Sequence, residues 1–207
     1  MTTTVDLRRA LSQLYRAAAT PALVDVPPLD YLMIDGSGNP NTAPEYAEAV
    51  QALYSVAYTV RFALERLPDP VDAPVMPLEG LWWVPDMSAF SVEDKSRWIW
   101  TLMIVQSAHV TADLADAARE TAARKKGLSA IERVRLERFA EGRAAQILHV
   151  GPYSSEGPTV ATLHRFITDQ GLALAGKHHE IYLGDPRRTA PERLRTIIRQ
   201  PVASADA

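Results

Sequence analysis

Hydrophobic positions along the 207-residue chain switch repeatedly between a strand-like and a helix-like period. Tyr31 to Ile34 is a continuous apolar run that reads as a buried strand, closed by the turn at Asp35 to Gly38. Thr42-Ala-Pro-Glu45 has capping-box spacing with proline in the first turn, and predicts a helix to about Leu67, just ahead of Pro68. Within it Val50, Leu53, Ala57, Val60 and Leu64 recur at three and four, the mark of a buried stripe. Tyr46, Val50, Tyr54 and Tyr58 form a four-spaced row on an adjacent face. That row reads as core packing with hydroxyls at the rim, or else as the wall of a ligand site. Glu79 to Pro85 and Arg97 to Gln106, rich in aromatic and β-branched residues, read as two further strands.

A mixed-charge stretch follows. Thr111 can cap a helix ending at Gly127, and Ser129-x-x-Glu132 suggests a second helix through about Phe139. The last part of the chain then repeats the order of the first: a strand at Arg143 to Val150, a helix from Pro158 to about Gly171, and strands at Glu180 to Leu183 and Leu194 to Gln200. The pattern predicts an α+β fold of duplicated β-α-β-β repeats with pseudo-two-fold symmetry. Its expected divisions are an N-terminal arm (1–28, peripheral), repeat one (29–106), a helical connector (107–142), repeat two (143–202) and a tail (203–207).

Composition narrows the chemistry. A net charge of −3 and a pI near 6.0, with no helix-turn-helix or zinc-finger spacing, argue against a nucleic-acid partner. The chain has no cysteine, which excludes disulfides and thiolate chemistry and suits a cytoplasmic location. Its N-terminus carries acid and base early and has no long apolar run, so it reads as neither signal peptide nor membrane anchor. His178 and His179 are adjacent on a strand and point to opposite faces, and His149 and His164 complete no ligand spacing. No metal is expected.

Glu180 is the anomaly, a carboxylate in an apolar strand. It could pair with Arg187, Arg188 or Arg195, or serve a ligand. Two β-α-β-β units paired about a two-fold leave a central cleft between them, with the helical connector joining the halves. Side chains alternate along a strand, so Glu180 and Tyr182 share one face. Aligning the repeats sets Trp83 against Tyr182 as facing aromatic walls.

His149 to Tyr153, Lys177 to Arg188 and Thr196 to Pro201, with Tyr46 to Tyr58 and Glu79 to Trp83, carry a resemblance to the GyrI-like small-molecule-binding domains. That fold is shared with multidrug-sensing activators and the SOUL haem-binding family. The resemblance spans roughly residues 25–202 and is strongest to the stand-alone branch with a helical insertion. It implies a cleft for a hydrophobic aromatic, often cationic, small molecule, with Glu180 as counter-charge. Trp82, Trp83, Tyr54, Tyr58, Tyr182, Met33, Met103 and His149 are the accompanying lining candidates.

The resemblance implies an alternative too: a hydrolase that opens the cyclopropane of DNA-alkylating antibiotics, an antibiotic-resistance activity. Glu180 would then take a proton from water, and Tyr153 or Tyr182 would stabilise the oxygen gaining charge. A gyrase-inhibitor-like interaction protein is a third class. No cofactor is expected, because no His or Met arrangement identifies a haem ligand.

Overall fold

The structure, a computed structural model, describes residues 2–92 and 94–205. In chain order its elements are β1 (Thr3–Thr4), α1 (Leu7–Ala10), β2 (Ala22–Val26), β3 (Leu29–Ser37), α2 (Pro44–Leu64), β4 (Val71–Asp72), β5 (Glu79–Trp83), β6 (Ile99–Val105), α3 (Ala112–Lys126), β7 (Arg135–Phe139), β8 (Gly142–Val150), α4 (Gly157–Asp169), β9 (Leu172–Leu174), β10 (His178–Tyr182) and β11 (Arg195–Ser204). The main sheet is antiparallel, in the order β2-β8-β11-β10-β5-β6-β3-β7, with β9 added beside the end of β11.

The two repeats are β3-α2-β5-β6 and β8-α4-β10-β11. They meet where β5 pairs with β10, with Gly80 opposite Glu180 and Leu81 opposite His179. Each repeat also sends a strand to the other: β2, just before β3, pairs with β8, and β7, just before β8, pairs with β3. Val26 and Leu29 are three residues apart, which spans at most about 11 Å. In a flat sheet β2 and β3 would lie six strand spacings apart, about 29 Å. The sheet therefore curls until its edges approach one another, and the link from β7 to β8 imposes the same closure.

Curling separates two faces with different contents. The inner face carries Glu79, Leu81, Met103, His179, Ile181, Ile197 and Arg199, all buried. The outer face carries Trp82, Trp100, Glu180 and Ile198, and α2 and α4 pack over it. Among the inner residues is a closed polar network. Arg199 donates to Glu141 (Nη1 to Oε2, 3.1 Å), to Gln146 Oε1 (3.0 Å from Nη2) and to the Leu14 carbonyl (2.6 Å). His179 bridges Glu141 Oε1 (2.8 Å) and Glu79 Oε2 (3.0 Å), and Tyr15 donates to Glu79. Uncompensated, a buried charge here would cost several kcal/mol, on the order of 3–5; in this set each charged group has a hydrogen-bonded partner.

Four expectations change. The first 28 residues do not simply flank the domain: β2 is a sheet strand, and Leu14 and Tyr15 plug the inner network. The helix at 44 starts on Ala43 with no side-chain cap, and Glu45 pairs with Arg133 at 2.8 Å. Ser129 opens only a 3-10 turn (Ser129–Arg133), after which β7 joins the sheet edge where a helix was expected. Part of the expected tail is strand, since Ala203 and Ser204 pair with β9, while residues 206–207 lie outside the described set. Thr111 does cap α3, accepting from the Leu114 N–H at 3.2 Å, and Gly127 ends it in the left-handed conformation.

Candidate active site

Between α2 and the outer face of β5 and β10 lies a cavity of about 1100 Å³. Glu180, Tyr182, Trp82 and Trp98 line its deep part. Tyr46, Val50, Tyr54 and Tyr58 of α2 form one wall, and Val75 to Leu78, Tyr153 and Leu183 to Arg187 line other parts of this open cleft. The tyrosine row of α2 therefore does both: Tyr46, Val50 and Tyr54 pack against the core, and the whole row lines the cavity. Trp82 contacts Tyr46 (6.0 Å between ring centroids) and Trp98 (4.9 Å), while Tyr153 meets Tyr182 edge-on at 5.5 Å. Gly80 is what lets the Trp82 indole lie back along its own strand beside Glu180, since a Cβ there would come within 2.8 Å of the indole nitrogen.

The sheet register decides which expected residues reach the cavity. Glu180, Tyr182, Trp82, Tyr54, Tyr58 and Tyr153 line it. Trp83 does not. It pairs with Ile99 and shares the inner-face parity of Glu79 and Leu81, with the Lys177 ammonium 3.4 Å over its ring. The repeat alignment that faced Trp83 with Tyr182 is out by one residue, and a one-residue slip exchanges the faces. Met33 and Met103 are opposite each other in the β3–β6 pairing, buried on the inner face.

His149 is buried beside α4. Its Nδ1 meets Thr159 Oγ1 at 2.9 Å and its Nε2 the Pro152 carbonyl at 3.3 Å, so it braces the segment that carries Tyr153. Trp98 and Lys95 also line the cavity, and Lys95 had no local signal in the sequence.

Glu180 is 4% exposed, and its partners are His178 Nε2 at 3.1 Å and the Tyr182 hydroxyl, which donates at 2.6 Å. Arg187 is not among them: it forks onto Asp185 at 3.0 Å. Burial alone would raise the Glu180 pKa, but these two hydrogen bonds hold it below the ordinary carboxylate value.

A second carboxyl group, overlooked in the sequence, stands nearby. Glu156, at the entry to α4, is 3% exposed, and its Oε1 has no hydrogen-bond partner among the described residues. Burial, then the charge of Glu180, pushes its pKa up to about 9. Tyr153 is pushed up to about 12 by burial and by the charges of Glu156 and Glu180. The two acids therefore oppose each other's ionisation, and the hydrogen bonds from His178 and Tyr182 favour the charge on Glu180. Among the described residues no cluster of three or more His, Asp or Glu side chains could hold a metal ion, and no helix is long and apolar enough to cross a membrane.

A curled two-repeat sheet with an aromatic, acid-floored cleft at the repeat interface is the architecture of a small-molecule-binding domain. The family model for the GyrI-like small molecule binding domain matches residues 19–203, and the chain belongs to that family. An uncharacterized conserved protein from Listeria innocua is 37% identical, with a TM-score of 0.87 over 97% of this chain and 100% of its own. A hydrolase from Listeria innocua is 38% identical, with a TM-score of 0.84 over 97% of this chain and 100% of its own. The EcmrR C-terminal domain, at 13% identity and a TM-score of 0.56 over 90% of this chain and 98% of its own, shares the fold. No curated protein matches the sequence.

Proposed function

We propose that the cleft is the active site of a hydrolase acting on a bulky, flat, electrophilic small molecule, of which a strained cyclopropane conjugated to a carbonyl is the best-fitting class. The observation that carries this reading is the buried Glu180 carboxylate among Trp82, Trp98 and Tyr182 in the cavity, with a second buried acid, Glu156, close enough to feel its charge. Water held by Glu180 attacks the ring methylene and gives its proton to Glu180. The ring C–C bond breaks, and its electron pair moves through the conjugated system onto the carbonyl oxygen. That oxygen takes a proton from the Tyr153 hydroxyl, which lines the cavity, and Glu156 resupplies it. One water is consumed and one ring-opened alcohol is formed. The pair still holds one proton, now on Glu180, and transfer back to Glu156 resets it.

The likeness to a protein described as a hydrolase, at 38% identity over nearly the whole of both chains, supports the reading. A second reading, binding without turnover, is favoured by the same ionised Glu180 and by walls of Trp and Tyr, whose faces each attract a flat cation by about 0.5–2 kcal/mol. Glu180→Gln separates the two. As a hydrolase the variant keeps substrate affinity and loses turnover by about 100-fold or more. As a binding module the wild type returns every ligand unchanged, and the variant weakens only for cations.

A further inference from the structure

The aromatic end of the cleft already contains a cation. Lys95 lies on the segment between β5 and β6, half-buried, with its ammonium 4.7 Å from the centroid of the Trp98 ring, and it lines the same cavity as Glu180. The segment that delivers it is pinned on both sides. Phe90 stacks on Trp98 at 5.2 Å and also meets the His178 ring at 5.5 Å; the Trp98 indole N–H donates to the Ser91 carbonyl at 2.9 Å; Asp94 accepts from the Ser96 N–H at 3.0 Å. Lys95 forms no ion pair within 4 Å among the described residues. It faces a cavity containing one ionised carboxylate and a tryptophan face, the two groups that would otherwise recognise a cationic ligand.

We infer that Lys95 is a specificity-determining residue, a built-in cation that fills the cation subsite of the cleft and so selects neutral, electron-accepting aromatic ligands over cationic ones. A cation entering the aromatic end would meet a like charge over the same ring and compete for the same carboxylate, and beside groups as buried as Trp98 and Glu180 that repulsion is only partly screened. A neutral ligand meets no such repulsion. One that gains negative charge during reaction is favoured further by the same ammonium. The positive charge of Lys95 also draws both Glu180 and Glu156 toward their ionised forms, which is consistent with its facing the acid pair. The inference rests on the cleft being the small-molecule site.

The test uses two nearly isosteric probes that differ in charge at about pH 7.5: acridine, which is neutral, and 10-methylacridinium, a permanent cation. Affinities are measured by calorimetry for the wild type, Lys95→Met, Lys95→Arg and Tyr54→Leu. The wild type should bind acridine about ten-fold or more tighter than methylacridinium. Lys95→Met should gain about ten-fold or more in methylacridinium affinity while acridine changes by less than about three-fold, and Lys95→Arg should keep the wild-type ratio.

A ratio unchanged by Lys95→Met overturns the inference while leaving the cleft reading in place, and so does a change shared equally by the Met and Arg variants. Binding that survives Tyr54→Leu undiminished, or that none of the four proteins shows, overturns the cleft reading, and the inference falls with it.

Discussion

Replacing Glu156 by glutamine keeps the size of the side chain and removes its ability to ionise, and the consequence can be worked out from the site. Burial and the neighbouring charge of Glu180 push the Glu156 pKa up to about 9, from an ordinary value of 4.5. A pKa raised in the folded state contributes stability that is complete below the unfolded value and is lost as pH rises toward the folded value. In that window the unfolded chain has released the proton and the folded chain has not. Wild-type stability should therefore fall with a slope of up to about 1.4 kcal/mol per pH unit from this residue, amounting to about 4 kcal/mol by pH 7.5. The glutamine variant lacks this contribution.

Urea unfolding of both proteins at about pH 5.5, 7 and 8.5 reads the difference directly, as a variant that gains on the wild type by about 1 kcal/mol per pH unit. Turnover of an electrophilic substrate should fall by about 100-fold in the same variant, because an amide cannot supply the proton. Parallel pH dependences for the two proteins would refute the reasoning, since Glu156 would then be ionised in the fold and no acid would face Glu180.

The inner polar network gives stability its own pH window. Burial opposes a charge on His179, but Glu141 and Glu79 raise its pKa above 6.5, and Glu141, also despite burial, is held below 4.5 by His179 and then Arg199. Their contribution should be complete between about pH 4.5 and 6.5, and should decline as pH falls through the lowered Glu141 value or rises through the raised His179 value. Glu141→Gln, measured by denaturant unfolding near pH 6, should cost about 3–5 kcal/mol by leaving His179 and Arg199 under-compensated. In the cleft, Tyr54→Leu should weaken binding of an aromatic ligand by about five-fold or more, whereas Trp83→Leu, on the inner-face side of β5, should leave it within about two-fold by fluorescence titration.

Apolar periods are local properties, so the strands at 29–37, 79–83, 99–105, 142–150, 178–182 and 195–204 and the helices at 44–64 and 157–169 were legible to within a few residues. What a period cannot supply is the parity of a strand without polar alternation. Leu81, Trp82, Trp83 and Val84 are all apolar or aromatic, so nothing local says which tryptophan faces the cleft, and only the pairing of Gly80 with Glu180 decides it. Met33 and Met103 were misplaced for the same reason.

Residues 135–139 have a strand's alternation in part, but the Ser129-x-x-Glu132 spacing ahead of them imitates a helix start, and the long-range pairing with β3 prevails. Glu156 precedes a Gly-Pro helix start, where an acid ordinarily serves the helix end in solvent. Its burial beside Glu180 is set by a β10 strand more than twenty residues away in sequence, which no local signal reports. The arm's role in covering Arg199 and Glu79 likewise depends on contacts that span most of the chain.

The central claim is that Glu180 and Glu156 together hydrolyse an activated ring within the aromatic cleft. The most direct measurement incubates wild type, Glu180→Gln and Glu156→Gln with a cyclopropane-bearing conjugated ketone in water enriched in heavy oxygen, and follows products by mass spectrometry. The account predicts a ring-opened alcohol carrying the heavy oxygen from the wild type, formed about 100-fold or more slowly by either folded variant. Substrate recovered unchanged from the wild type, or product formed by Glu180→Gln at the wild-type rate, would contradict it.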